Sequence, residues 1–212
     1  MSERKEFDLT KYVKDDKVFL DNLRIENCMI GSTQYKNIIF IGCSFVNVVF
    51  EGHPEDSGGT VIFVGCDVNQ CVFRGDLGKT YLEIRENLFR ECLFEKISME
   101  WGGEISSIVE NGVFDCEFKN VKLIRELEFL SQTIRGGNIE NVRLLSTNMS
   151  GNQFSDLQIN NTKITAFFTN NVMDSVIFRN VILEWAIDEA YDDGNIFYQC
   201  DSSGLTCYRQ ED

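Results

Sequence analysis

A chain of 212 residues with 43% apolar content is long enough to bury a real core, and its 20 Lys and Arg against 34 Asp and Glu leave a net charge of −14. That charge opposes direct binding to nucleic-acid phosphates or to an anionic membrane surface, and it points to basic partners. No apolar run approaches the roughly 18 residues of a membrane span, segment 1–17 is too charged for a secretory signal, and the single histidine, His53, leaves little room for histidine-based catalysis.

Segment 1–17 opens the chain with five basic and five acidic residues and reads as a polar cap. From Leu20 a large apolar residue then recurs at every fifth position: Leu20, Ile25, Ile30, Tyr35, Phe40, Phe45 and Phe50. After a hydrophilic break at 51–60 the spacing resumes at Phe63, Val68 and Phe73, then at Ile84, Phe89, Phe94 and Met99. A second long break, 100–112, precedes Val113, Phe118 and Leu123. Small slips at 76–80 and 124–128 read as local bulges. The longest run follows: Phe129, Ile134, Ile139, Leu144, Met149, Phe154, Ile159 and Ile164, and after a four-residue step Phe168, Met173, Phe178 and Leu183. Twelve of the 17 Phe occupy this position.

Two residues before each large side chain stands a smaller one, and six of the eight Cys are there: Cys28, Cys43, Cys66, Cys71, Cys92 and Cys116. That shared slot explains them as core packing, because they are a repeat apart and lack the spacing of zinc knuckles. Two residues after the large position comes a corner former, often Asn or Gly, which tolerate the backbone angles of a tight turn. A period of five fits neither the 3.6 of a helix nor the 2 of a long strand, so the chain must turn once per unit to return the same side chain inward. The expectation is an all-β solenoid whose coils stack at roughly 4.8 Å and fill their own interior, leaving no pocket for chemistry. No enzyme activity, metal or cofactor is expected. The protein is expected to be cytoplasmic.

Segments such as Ile38-Ile-Phe-Ile-Gly-Cys-Ser-Phe-Val-Asn-Val-Val-Phe50 resemble the pentapeptide-repeat proteins. The chain departs from that family in often using Cys, Val, Thr or Asn where the family favours Ala. The resemblance implies a right-handed, four-sided β-helix of about seven coils over 18–183, with two projecting loops. It also implies a homodimer joined at the C-terminal end. The quinolone-resistance members of the family look like DNA and engage DNA gyrase or topoisomerase IV, and some project loops from an early and a middle coil.

Candidate partner-binding residues follow from the breaks and from the tail. In the loops they are Glu51, His53, Glu55 and Asp56, then Glu100, Trp101 and Glu104. In the acidic segment 184–212, read as a cap or dimerisation tail, they are Glu184, Asp188, Glu189, Asp192 and Asp193. Each break also has a plain reading as a tolerated corner insertion. Seven coils at about 4.8 Å give a rod near 35 Å long, so −14 is about one charge per 2.5 Å against about one per 1.7 Å in duplex DNA. The leading expectation is an acidic DNA mimic that fills the DNA cleft of an enzyme such as gyrase. Two alternatives stay open: an inhibitor of a nucleic-acid-targeting defence complex, and a passive scaffold that docks a protein through its loops and Trp101.

Overall fold

The computed structural model describes residues 4–31, 37–52, 60–75, 81–99, 106–124, 127–186 and 194–210. These form short strands joined by corners, and the strands fall into four columns, the sides of a β-solenoid. One side is complete from end to end. Arg24–Glu26, Ser44–Val46, Asp67–Asn69, Leu88–Arg90, Gly112–Phe114, Thr133–Arg135, Gln153–Ser155, Val172–Asp174 and Ile196–Tyr198 pair in parallel as nine successive strands. Their spacing makes about eight turns, one more than expected, because the tail continues the stack.

With this as the second side, the first side runs through Lys17–Asp21, Asn37–Ile41, Thr60–Val64, Tyr81–Arg85, Ser106–Val109 and Leu127–Leu130. The third includes Cys28–Gly31, Val49–Glu51, Val72–Arg74, Leu93–Glu95, Glu117–Lys119 and Asn138–Glu140. The fourth includes Ser98–Met99, Lys122–Ile124 and, at the far end, Leu205–Gln210 on Ile177–Ala186. In the later coils single long strands such as Gln158–Thr169 run through successive sides. The four-residue step after Ile164 makes an irregularity there, where register shifts between Leu145 and Asn148 of the strand below.

Corners have one recurring backbone. Asn22, Asn27, Asn47, Asn120, Asn141, Asn161 and Asn180 all take φ between 47° and 55°, the left-handed region that Asn tolerates. The N–H groups of Asn22, Asn27, Asn47, Asn120 and Asn141 donate to the coil above, as in Asn22 N to the Ile41 carbonyl (2.9 Å) and Asn27 N to the Val46 carbonyl (3.1 Å). The turn therefore satisfies these backbone donors from the neighbouring coil.

The large residues fill a common shaft. Phe45, Phe168 and Leu20 are fully buried and Phe154 is buried, and on the third side Phe50, Phe73, Phe94 and Phe118 stack ring on ring at 4.5, 4.8 and 4.6 Å. Those ring distances match the strand spacing of roughly 4.8 Å, so each coil adds one aromatic layer.

The shaft is not completely filled. A cavity of about 110 Å³ opens in the middle coils, walled by Ile84, Ile108, Val113, Phe118, Leu123 and other apolar side chains. This corrects the expectation of a filled interior. The coil containing Ser106–Val109 supplies Ile108 where other coils place Phe40 or Phe63 and Val113 where others place Phe45 or Phe89, so the section loses volume.

The second break is also shorter than the sequence pattern implied. Ser106–Val109 is a first-side strand with Ile108 opposite Ile84, and Asn111 sits in the small buried slot, so 106–112 belongs to the coil. The slip at 76–80 and part of that at 124–128 lie outside the described residues.

The ends differ. At the first coil, Lys5–Glu6 pairs beneath Cys28–Gly31, and the 3₁₀ turn Leu9–Tyr12 is capped by the Asp8 carboxylate, which accepts from Thr10 N at 3.1 Å. Leu9 is buried and Phe7 stacks on Tyr12 at 5.7 Å, so this turn covers the shaft. At the last coil the inward-facing positions have no described strand above them. Phe197, opposite Met173, is 41% exposed, and Cys207, opposite Leu183, is exposed. No helix among the described residues is long and apolar enough to cross a membrane.

Candidate interaction surface

The sides of the solenoid present different chemistry. On the two corners that border the second side, acids replace Asn and Gly in the left-handed slot: Glu86 and Glu110 on one, Glu91, Asp115 and Asp156 on the other. Their φ angles are 57°, 56°, 50°, 53° and 53°. A left-handed conformation costs an L-residue roughly 1–2 kcal/mol, and glutamate lacks the short side chain that eases it for Asn or Asp. All five carboxylates are exposed. Their backbones are fixed, since Glu86 N donates to the Val109 carbonyl (3.1 Å), Glu91 N to Phe114 (3.0 Å), Glu110 N to Leu130 (3.0 Å), Asp115 N to Arg135 (2.9 Å) and Asp156 N to Asp174 (3.1 Å). The result is two parallel acidic ridges in the middle coils, one side apart, carried by a rigid frame.

Bases moderate these ridges without cancelling them. Arg85 lies 3.6 Å from Glu86, Arg135 is 3.2 Å from Asp156, and Arg90 reaches Asp67 at 2.8 Å. All are exposed ion pairs, each contributing up to about 1 kcal/mol and screened by salt. Over the described residues 17 Lys and Arg face 21 Asp and Glu, a net charge of −4. The other −10 of the chain's −14 belongs to the segments outside them, such as 53–59, 100–105 and 187–193.

Most sequence candidates fall in those segments. His53, Glu55, Asp56, Glu100, Trp101, Glu104, Asp188, Glu189, Asp192 and Asp193 lie outside the described residues. Glu51 ends a third-side strand and pairs with Arg74 at 3.2 Å. Glu184 is on the fourth side, where Lys163 Nζ donates to it at 2.7 Å and Thr165 Oγ1 at 3.0 Å. The Lys163 contact, reinforced by the Thr165 hydroxyl and the nearby charge of Arg143, holds the Glu184 carboxyl below its ordinary range. The structure does not bring Glu51 and Glu184 together.

The cysteines form columns in the shaft. Cys66, Cys71 and Cys92 are held above the ordinary thiol value, first by hydrogen bonding to the neighbouring thiol of the column and then by burial; Cys92 is pushed up to about 12. Thiols in this state are poor nucleophiles. Cys200, which the sequence pattern placed outside the ladder, stacks in the same corner column above Val176 and donates to the Met173 carbonyl at 3.3 Å. Among the described residues no group of three His, Cys, Asp or Glu could hold a metal ion.

Sequence reasoning missed two features. The acidic ridges occupy the corner slot two after a large residue, so Glu86, Glu91, Glu110, Asp115 and Asp156 carried a usable signal. The other is an amide column in the small slot before the second side, in which Asn87, Asn111, Gln132, Asn152 and Asn171 are buried and Asn195 at the last coil is half-buried. The side-chain NH₂ groups of Asn87, Asn111, Asn152 and Asn171 donate to the coil below and to the next amide, as Asn87 Nδ2 does to the Phe63 carbonyl (2.9 Å) and to Asn111 Oδ1 (3.0 Å), whereas Gln132 Nε2 donates to the Ile108 and Leu130 carbonyls and meets Asn152 Oδ1 through its backbone N–H. No protein-family model matches the chain, and no curated protein matches it significantly.

Proposed function

We propose that this protein is a non-catalytic, acidic DNA mimic that occupies the DNA-binding cleft of a DNA-processing enzyme such as DNA gyrase or topoisomerase IV and thereby modulates or protects it. The observation that carries the reading is the pair of acidic ridges beside the second side. Eight steps between nine strands give a rod about 38 Å long, with acids at fixed heights along two edges. Backbone-fixed carboxylates lose little freedom when they meet a basic cleft, so their attraction is not spent on ordering. The further −10 in the segments outside the described coils adds long-range steering. The resemblance to the quinolone-resistance pentapeptide proteins supports the same partner class.

The test neutralises the ridges without touching the shaft. The variant Glu86→Gln, Glu91→Gln, Glu110→Gln, Asp115→Asn should bind purified gyrase at least tenfold more weakly while keeping its thermal stability. Unchanged affinity would remove the ridges from the interface and favour a scaffold that binds through its loops.

We also propose that the last coil, which no described strand covers, is the contact of a homodimer. Ile196, Phe197, Tyr198 and Tyr208 are 57%, 41%, 56% and 53% exposed beside strand edges that no described strand pairs, an arrangement that invites edge-to-edge pairing. Light scattering should give twice the chain mass at micromolar concentration, and Phe197→Glu should return the monomer. A wild-type monomer under those conditions would end this proposal.

A further inference from the structure

The void in the middle coils lies where two successive layers lack a first-side ring. Phe63, Ile84, Ile108 and Phe129 stand in register along that side, so two isoleucines are bracketed by phenylalanines. On the second side Val113 follows Phe89 and precedes Ile134. The space left inside the shaft, about 110 Å³, has the rings of Phe63, Phe73, Phe89, Phe94, Phe118 and Phe129 among its walls. No charged side chain is among the described residues that line it, and its two polar members are Asn111 and Gln132. Those two amides have no hydrogen-bonding capacity left for a water molecule. Asn111 Oδ1 accepts from Asn87 N (2.9 Å) and Asn87 Nδ2 (3.0 Å), while Asn111 Nδ2 donates to the Ile84 and Val109 carbonyls and to Gln132 Oε1. Gln132 Oε1 also accepts from Asn111 N (3.3 Å), and Gln132 Nε2 donates to the Ile108 and Leu130 carbonyls. A buried water needs two to four polar partners, and an apolar cavity that lacks them stays dry. The lining atoms then have no contacts on one side, and an apolar guest is what restores them.

We propose that this cavity binds a small apolar molecule, one without hydrogen-bonding groups and no larger than a benzene ring. An apolar cavity of about 150 Å³ walled by Leu, Ile and Phe holds benzene or xenon. A void of about 110 Å³ with the same kind of wall sets its ceiling just below that size. Dispersion is the attraction available to the guest, so a polarizable atom or molecule set among the six rings is favoured over a polar one of equal volume. Entry uses local opening of a coil, each of which is held mainly by its two neighbours. The coils around the void also carry Glu86, Glu91, Glu110 and Asp115, so a bound guest tightens the frame beneath both ridges, while the binding itself does not depend on the mimic reading.

The experiment is methyl NMR of the full chain, labelled at Ile, Leu and Val, under increasing pressure of xenon, with acetamide as a separate polar arm. The methyls of Ile84, Ile108, Val113 and Leu123 should shift saturably with xenon, while those of Val18 and Leu183, buried near the two ends of the shaft, should not. Acetamide should cause no saturable change at any of them. Ile108→Phe, which puts a ring into the void, should weaken xenon binding at least tenfold. Val113→Leu is a smaller filling that should weaken it several-fold, and it decides the matter if the first variant does not fold. The proposal is overturned if xenon shifts no cavity methyl saturably, if it shifts the end-coil methyls equally, if acetamide binds there as well as xenon does, or if a filling variant with a cooperative thermal transition keeps the wild-type affinity for xenon.

Discussion

Replacing Asn152 by leucine should lower the stability of the solenoid by about 2–5 kcal/mol, although the two side chains have the same number of heavy atoms and the same branching. Asn152 is fully buried in the amide column. Its Nδ2 donates to the Phe129 carbonyl at 3.0 Å and to Asn171 Oδ1 at 2.8 Å, and its Oδ1 accepts from Gln132 N at 2.9 Å. Leucine leaves the Phe129 carbonyl and the Gln132 N–H without those partners in an interior that water does not reach, and each orphan costs about 1–3 kcal/mol. Because solenoid coils are stabilised mainly by their neighbours, the damage should be concentrated in the coils that meet at Gln132 and Asn171. Urea denaturation checks the total, and hydrogen exchange checks the location. A loss below about 1 kcal/mol would mean that the column tolerates an apolar substitute.

Phe45→Ala should cost about 3–5 kcal/mol for a different reason. Phe45 is fully buried and meets Phe40 at 5.2 Å and Phe50 at 5.0 Å, edge to face, with Phe63 at 6.1 Å. Alanine removes a ring from a layer whose strands are pinned above and below, so the walls cannot collapse inward and the transfer cost is joined by a cavity cost. The middle coils already tolerate a void of about 110 Å³, whereas beside Phe40, Phe50 and Phe63 the void is only about 20 Å³. The same urea titration should show the midpoint falling without a change in slope.

The repeat made the architecture legible because burial and period coincide. Every fifth large residue has to face inward once the chain turns at each unit, and Leu20, Phe45, Phe94, Phe154 and Leu183 all pack in the shaft. The amide column was not legible in the same way. Asn87, Gln132 and Asn152 look like breaks in a pattern of small apolar residues, and only stacking reveals that each finds its partner one coil away. The acidic ridges were hidden by the insertions, which make the coils unequal in length. Two corner acids 24 positions apart, Glu91 and Asp115, are neighbours on one edge, but Glu110 and Asp115, five apart, are on different edges. The open end likewise follows from where the stack stops: Cys207 occupies a large inward position and is exposed because nothing described lies above it.

Displacement of a labelled DNA duplex from purified gyrase by the full chain tests the mimic reading most directly. Competition at a single site is expected, with an affinity that falls steeply as salt is raised and falls again when the ridge acids are neutralised. A ternary complex of enzyme, duplex and this protein, or displacement indifferent to salt, would contradict it.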